Sequence, residues 1–280
     1  MKKLLLTFAL ASAVVVVNAQ DMTSKRGVPI LPEAGEWALG IDATPLLEYF
    51  GNLFTDSYND GPSFNFSRAN TLWFKKVRDE GFHYRGMLRL GFGGETNTVL
   101  STPLDPNPNP LTPLFVDDEC KSSSMNIALG AGFEMRRGKG RLQGYYGPEL
   151  IVNFGSASRE YSYGNVITAT NPNPISEVFD ENLGFDDLFD VRTTKVDDGS
   201  TFGLTLRGFV GLEYFFAPKL SIGGEFGWGL GFQSRGDSER TFEYYNGTSV
   251  VSQTMPGSNS SSFGIDTDNS GGAIRLVGYF

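Results

Sequence analysis

The sequence predicts an all-β fold: an eight-stranded antiparallel up-and-down transmembrane β-barrel with four long external loops and three short periplasmic turns. Three observations carry that expectation. Alternate residues divide by chemistry in stretch after stretch. Long and short connections alternate along the chain. An apolar leader stands at one end and a terminal Phe280 at the other. The division is cleanest in FHYRGMLRLGFGG, where Phe82, Tyr84, Leu88, Leu90 and Phe92 alternate with His83, Arg85, Met87, Arg89 and Gly91. A strand sends alternate side chains to opposite faces, so one face here is apolar and the other carries two arginines. In an outer-membrane barrel the apolar face meets lipid.

Each strand repeats the pattern. The first spans 35–44, with Trp37, Leu39, Ile41 and Ala43 aligned, and the second spans 70–77. The turn Arg78-Asp79-Glu80-Gly81 leads to the third, 82–94. The fourth, 122–137, aligns Met125, Ile127, Leu129, Ala131 and Phe133, and Gly138-Lys139-Gly140 turns into the fifth, 141–155. The sixth, 201–216, aligns Phe202, Leu204, Leu206, Val210, Leu212 and Tyr214. After Ala217-Pro218-Lys219 the seventh, 220–233, aligns Phe226, Trp228, Leu230 and Phe232. The eighth is 271–280. Strands of ~9–11 residues suffice to cross the hydrocarbon at a tilt, and most of these segments reach that length. A water-soluble sandwich needs only one buried face per strand and gives no reason for the long–short rhythm. In hydrocarbon every backbone N–H and C=O needs a partner, so the eighth strand is expected to pair with the first.

The ends fix the expected location. Lys2 and Lys3 precede an apolar run, Leu4 to Val17, and Val17-Asn18-Ala19 offers a cleavage site before Gln20. The run is short of the ~20 residues of a membrane helix. The expected organisation is a signal peptide at 1–19, a periplasmic N-terminal segment at 20–34 and the barrel at 35–280. The net charge of −9 argues against nucleic acid as a partner. Cys120, the lone cysteine, has no partner for an intramolecular disulfide.

With these features the chain resembles the OmpA/OmpX-like (porin-like) family of small bacterial outer-membrane β-barrels. The terminal GGAIRLVGYF is similar to that family's carboxy-terminal signal for the barrel-assembly machinery, carried by Ile274, Leu276, Tyr279 and Phe280; Gly278 departs from the usual large residue. The resemblance implies the bacterial cell outer membrane as location. It also implies lipid, lipopolysaccharide and the assembly machinery as partners, and leaves activity open.

If the apolar set faces lipid, the other set faces the lumen: Asp42, Lys75, Arg85, Arg89, Glu134, Glu149, Arg207, Glu213, Glu225 and Arg275. Acids and bases are balanced, as a network of internal ion pairs requires, because charges in a narrow lumen are costly unless paired. A gated conduit lined by Arg85, Arg89, Arg207, Glu149 and Glu225 is the functional alternative. Gly227, Gly229 and Gly231 leave interior room for Phe209 or for water. Phe82, Tyr84, Tyr146, Tyr214, Phe216 and Phe280 fall near periplasmic strand ends, and Phe92, Phe154, Phe202 and Phe232 near external ends, as two aromatic girdles would.

The long connections are expected as loops. The one at 156–200 is acidic; its carboxylates suit a divalent cation such as calcium, but DENLGFDDLFD has the wrong spacing for an EF-hand site, so a solvated loop is expected, with a cation site as the alternative. Repeated prolines in 101–115 predict a stiff extended arm. The stretch at 234–270 reads as mobile from its Ser, Gly and Asn, and 45–54 is apolar enough for an interfacial helix or a protein contact. His83, the only histidine, stands at the periplasmic end, away from the outer leaflet where lipid-modifying barrels keep their base. No enzyme and no cofactor are therefore expected. The expected function is a non-enzymatic envelope structural or surface-interaction protein, including an accessory subunit of a larger outer-membrane complex. The alternative is a small porin-like channel for ions or small solutes.

Overall fold

A computed structural model describes residues 22–43, 71–104, 115–138, 140–174, 191–267 and 273–280. The leader at 1–19, the apolar segment 45–54, most of the proline-rich arm and the acidic DENLGFDDLFD stretch lie outside the described residues. The described residues form strands and no helix. Twelve antiparallel strands belong to one sheet. They are β1 (Trp37–Asp42), β2 (Thr71–Asp79), β3 (Phe82–Ser101), β4 (Val116–Arg137), β5 (Leu142–Ser162), β6 (Arg192–Asp197), β7 (Thr201–Ala217), β8 (Leu220–Arg235), β9 (Glu239–Tyr245), β10 (Val250–Pro256), β11 (Ser260–Thr267) and β12 (Ala273–Tyr279).

Sequential pairing runs β1 to β2 to β3 to β4 to β5, then to β7, β8 and β12. β12 then pairs with β1 in the register Ala38↔Tyr279 to Asp42↔Arg275, so this ladder returns to its first strand. Reciprocal bonds between Trp37 and Phe280, both N···O 2.9 Å, continue that seam to the chain end. The turns between β2 and β3, β4 and β5, and β7 and β8 are short, and Lys219 adopts φ +60° in the last of them.

The sheet exceeds the eight strands that periodicity marks. β3 runs on to Ser101 rather than ending at Gly94, β4 begins at Val116 rather than Ser122, and β5 reaches Ser162. Residues such as Glu95, Thr96 and Asn97 facing Ser122, Lys121 and Cys120 are polar on both faces. Hydrogen bonding propagates the strands there without the alternation that marks a half-apolar surface. The 234–270 segment, expected to be mobile, instead contains β9 and β10 as a hairpin, and β11 laid along the upper part of β8. TFEYYN and SVVSQTM carry the β-branched and aromatic residues that explain it. β6 bridges this hairpin to β5.

Burial along the returning ladder is inverted relative to a water-soluble protein. Lys75, His83, Arg85, Glu134, Arg136, Glu149, Glu213, Glu225 and Arg275 are buried. Leu129, Leu150, Leu206, Leu212, Phe226 and Trp228 on the alternate positions are exposed. The expected girdle residues Tyr84, Phe92, Tyr146, Phe154, Phe202, Phe216, Phe232 and Phe280 are exposed as well.

One local device keeps β5 in place. Pro148 lacks an N–H, and the β4–β5 register is interrupted between Gly132↔Glu149 and Met135↔Tyr146. There Gly147 lets the Phe133 carbonyl approach so closely that a Cβ would collide with it and press on the Phe209 ring. Gly147→Ala is expected to lower stability by about 1–3 kcal/mol. Gly140→Ala, with nothing near its would-be Cβ, should leave it unchanged. Urea unfolding midpoints of the refolded protein in detergent measure both.

Candidate functional site

The buried face gathers its charges into two connected groups. Alternation within each strand supplies the members and cross-strand register stacks them. One row runs Lys75↔Arg85↔Gly132↔Glu149↔Arg207↔Gly229. The two like charges at its start are tolerated because each reaches different carboxylates.

In the group nearer the short turns, Lys75 Nζ lies 3.1 Å from Glu134 Oε2 and 3.3 Å from Glu213 Oε2. Arg136 Nη1 lies 2.6 Å from Glu134 Oε1 and 2.7 Å from Glu213 Oε2. Glu213 also accepts from the Ser221 hydroxyl at 2.5 Å and the Tyr279 hydroxyl at 3.0 Å. His83 is fully buried beside them, its Nδ1 3.8 Å from Glu134 and 3.5 Å from Arg136 Nη1. Among the described residues, no serine hydroxyl or thiol bonds to this ring. It is therefore poorly placed to activate a nucleophile.

The second group centres on Glu225. Arg85 grips it in two-pronged fashion, at 2.8 and 3.3 Å, and Arg275 does the same at 2.6 and 2.9 Å. Arg207 Nη1 reaches it at 2.8 Å and touches Glu149 at 3.2 Å, while Arg85 Nε lies 3.1 Å from Glu149. The planar fork of arginine suits such shared, desolvated carboxylates. Aromatic faces complete the packing: the Arg85 guanidinium sits 3.9 Å above Phe209 and that of Arg275 4.1 Å above Trp73. Gly227 leaves the space through which the Arg207 guanidinium passes.

Below the first group an apolar cork closes the stack. Ile30, fully buried, packs with Ala38, Val77, Phe215, Val277 and Tyr279. Lys219 fastens the N-terminal segment there. Its backbone N–H donates to Ile30 O at 3.0 Å, and its Nζ donates to Leu31 O at 2.8 Å and pairs with Glu36 at 2.8 Å.

Among the described residues, ion pairs join eight of the ten charged residues proposed for the lumen. Asp42 is half-buried and directly across from Arg275. Arg89 stands apart, lining a cavity of about 960 Å³ beyond Arg207. Sequence reasoning missed Arg136, although it lies two residues beyond Glu134 on the same face. Tyr279, grouped by resemblance with the terminal signal, turns its hydroxyl into the network. Ile274 and Leu276 are half-buried and Phe280 is exposed. No group of three or more His, Cys, Asp or Glu that could hold a metal occurs among the described residues.

No protein-family model matches the chain, and no curated protein matches it.

Removing one partner from a buried network strands the others. Glu225→Gln leaves three guanidinium groups short of a counter-charge and is expected to cost about 3–5 kcal/mol. Glu95→Gln, on an exposed polar extension, should fall within about 0.5 kcal/mol of wild type. Equilibrium unfolding in detergent compares them.

Proposed function

We propose that the chain is an integral outer-membrane protein. In this reading the returning ladder is the wall of an eight-stranded transmembrane barrel, and the four remaining strands belong to its external extension. The observation that carries it is the inversion of burial: ionised side chains enclosed, large apolar side chains outside. Water gives no reason to expose Leu129, Leu206, Phe226 and Trp228 while burying Lys75, Arg85, Arg136, Arg275, Glu134, Glu149, Glu213 and Glu225. A bilayer gives one, since hydrocarbon receives the outer face and the closed ladder leaves no unpaired backbone edge within it.

Within that barrel the role is non-enzymatic, in envelope structure or surface interaction, rather than conduction. Two salt-bridged layers and the Ile30 cork lie within the proposed bore, and Phe209, Tyr145 and Phe215 are buried there with them. Eight strands leave an interior that side chains fill. The external half has the opposite character. About 9–11 residues suffice for a tilted strand to cross, whereas β3, β4 and β5 have 20, 22 and 21 residues. They therefore carry a sheet well past the lipid, widened by β6, β9 and β10. This platform is the surface for a partner, including a larger outer-membrane complex of which the chain is an accessory subunit. Lipid, lipopolysaccharide and, during biogenesis, the barrel-assembly machinery complete the expected partners. Kinship with OmpA/OmpX-like barrels belongs to the same proposal.

Planar-bilayer recording on the refolded mature protein tests the closed bore. Wild type is expected to insert without steady unitary conductance. Discrete, reproducible steps that change on substituting Arg85 or Glu149 would establish the channel reading instead.

A further inference from the structure

The cavity of about 960 Å³ beyond the ion-pair layers has a mixed polar and apolar lining, and among the described residues its charge is mostly positive. Arg89, Arg207, Arg235, Asn153, Thr205 and Gln233 line it. Register sets most of them at neighbouring levels of the wall. Arg89 faces Ala128, Ala128 faces Asn153, Asn153 faces Gly203, and Gly203 faces Gln233. Gly203, Gly229 and Gly231 contribute no side chains and open the space.

The three arginines are not equivalent. Arg207 is held from below by Glu149 and Glu225. Among the described residues, neither Arg89 nor Arg235 has a hydrogen-bond or ion-pair partner, and the Nε of each is buried without one. Among the described residues, Asp198 is the one acidic residue lining the cavity, and Arg159 holds it at 3.3 Å. Among the described residues, Arg89 and Arg235 are therefore two cations facing a semi-enclosed space. Partly desolvated guanidinium groups are costly without a counter-charge, and low-dielectric walls strengthen the field they project.

We infer that this cavity is a binding site for a phosphate group, held between Arg89 and Arg235 and received by the amides and hydroxyl of Asn153, Gln233 and Thr205. Two unmatched guanidinium groups balance the charge of roughly −1.5 to −2 that a phosphomonoester carries at pH 7. Their forks match its oxygens in paired hydrogen bonds. The volume exceeds that of the bare ion and falls in the range of small-molecule sites. It leaves room for whatever the phosphate is attached to. The proposed barrel reading is needed only to place this mouth outside the cell; the site itself rests on the cavity and its arginines.

Isothermal titration of the full mature protein in uncharged detergent tests it, with inorganic phosphate and dihexanoyl phosphatidic acid as separate probes. Saturable binding is expected, weakened about tenfold or more by Arg89→Gln or Arg235→Gln, as loss of a charged hydrogen-bonding partner implies. The double variant should lose saturation, and Lys195→Gln, at an exposed residue of β6 outside the cavity lining, should bind as wild type. Unchanged circular dichroism and thermal transition show that a variant remains folded. Comparable affinity for both probes assigns the phosphate group alone; a marked preference for the lipid assigns a headgroup. Binding that survives in the folded double variant, or the absence of saturable binding of either probe to wild type, overturns the inference. A failure of the barrel reading would show separately, as lost partitioning of the wild-type protein into bilayers.

Discussion

Closure of the hydrogen-bonded ladder through β12 and β1 is the constraint from which the rest follows. Five residues of each strand pair there, and the Trp37–Phe280 bonds continue the seam. A closed ladder has two faces that never exchange, so alternation becomes a division between enclosed and outward side chains. Once enclosed, Lys75, Arg85, Arg136, Arg207 and Arg275 have no bulk water to turn to. Their energies depend on Glu134, Glu149, Glu213 and Glu225 arriving from other strands. The network therefore also fixes which strands neighbour which. A one-residue slip would send every charge to the outer face.

Much of this order was legible in the chain, for a physical reason. In each of β3, β4, β7 and β8 an apolar residue alternates with a charged or small one, and period 2 can be read without knowing the partner strand. The turns at 78–81, 138–140 and 217–219 punctuate it. The polar extensions were not legible, because alternation disappears where both faces are wet; Glu95–Ser101 and Val116–Ser124 look like loop by composition and are held as strand by their neighbours. The hairpin of β9 and β10 was hidden similarly, its Ser, Asn and Gly suggesting mobility while Phe242, Tyr244, Val250 and Val251 supply the strand character.

Within the site, residue type and parity marked the charged members, and Arg136 was within reach of the same rule. Three features needed three dimensions. The sharing of Glu225 among Arg85, Arg207 and Arg275 depends on strands far apart in sequence. The Ile30 cork depends on the N-terminal segment folding back under the ladder. The separation of Arg89 from the network depends on the lack of a described carboxylate at its level. Balanced composition suggested complete neutralisation, whereas among the described residues eight of the ten share ion pairs and Arg89 lines the cavity instead.

The three tryptophans offer the most direct test, because they sample both faces. Trp228 is half-exposed among outward apolar residues, whereas Trp73 is buried under Arg275. Two refolded variants, one retaining only Trp228 and one only Trp73, can be reconstituted in bilayers of brominated phosphatidylcholine and their fluorescence compared with that in unbrominated lipid. Strong bromine quenching of Trp228 with little effect on Trp73 is the expected result. Quenching of Trp73 with Trp228 untouched, or of neither, would contradict a wall that turns its apolar face to lipid.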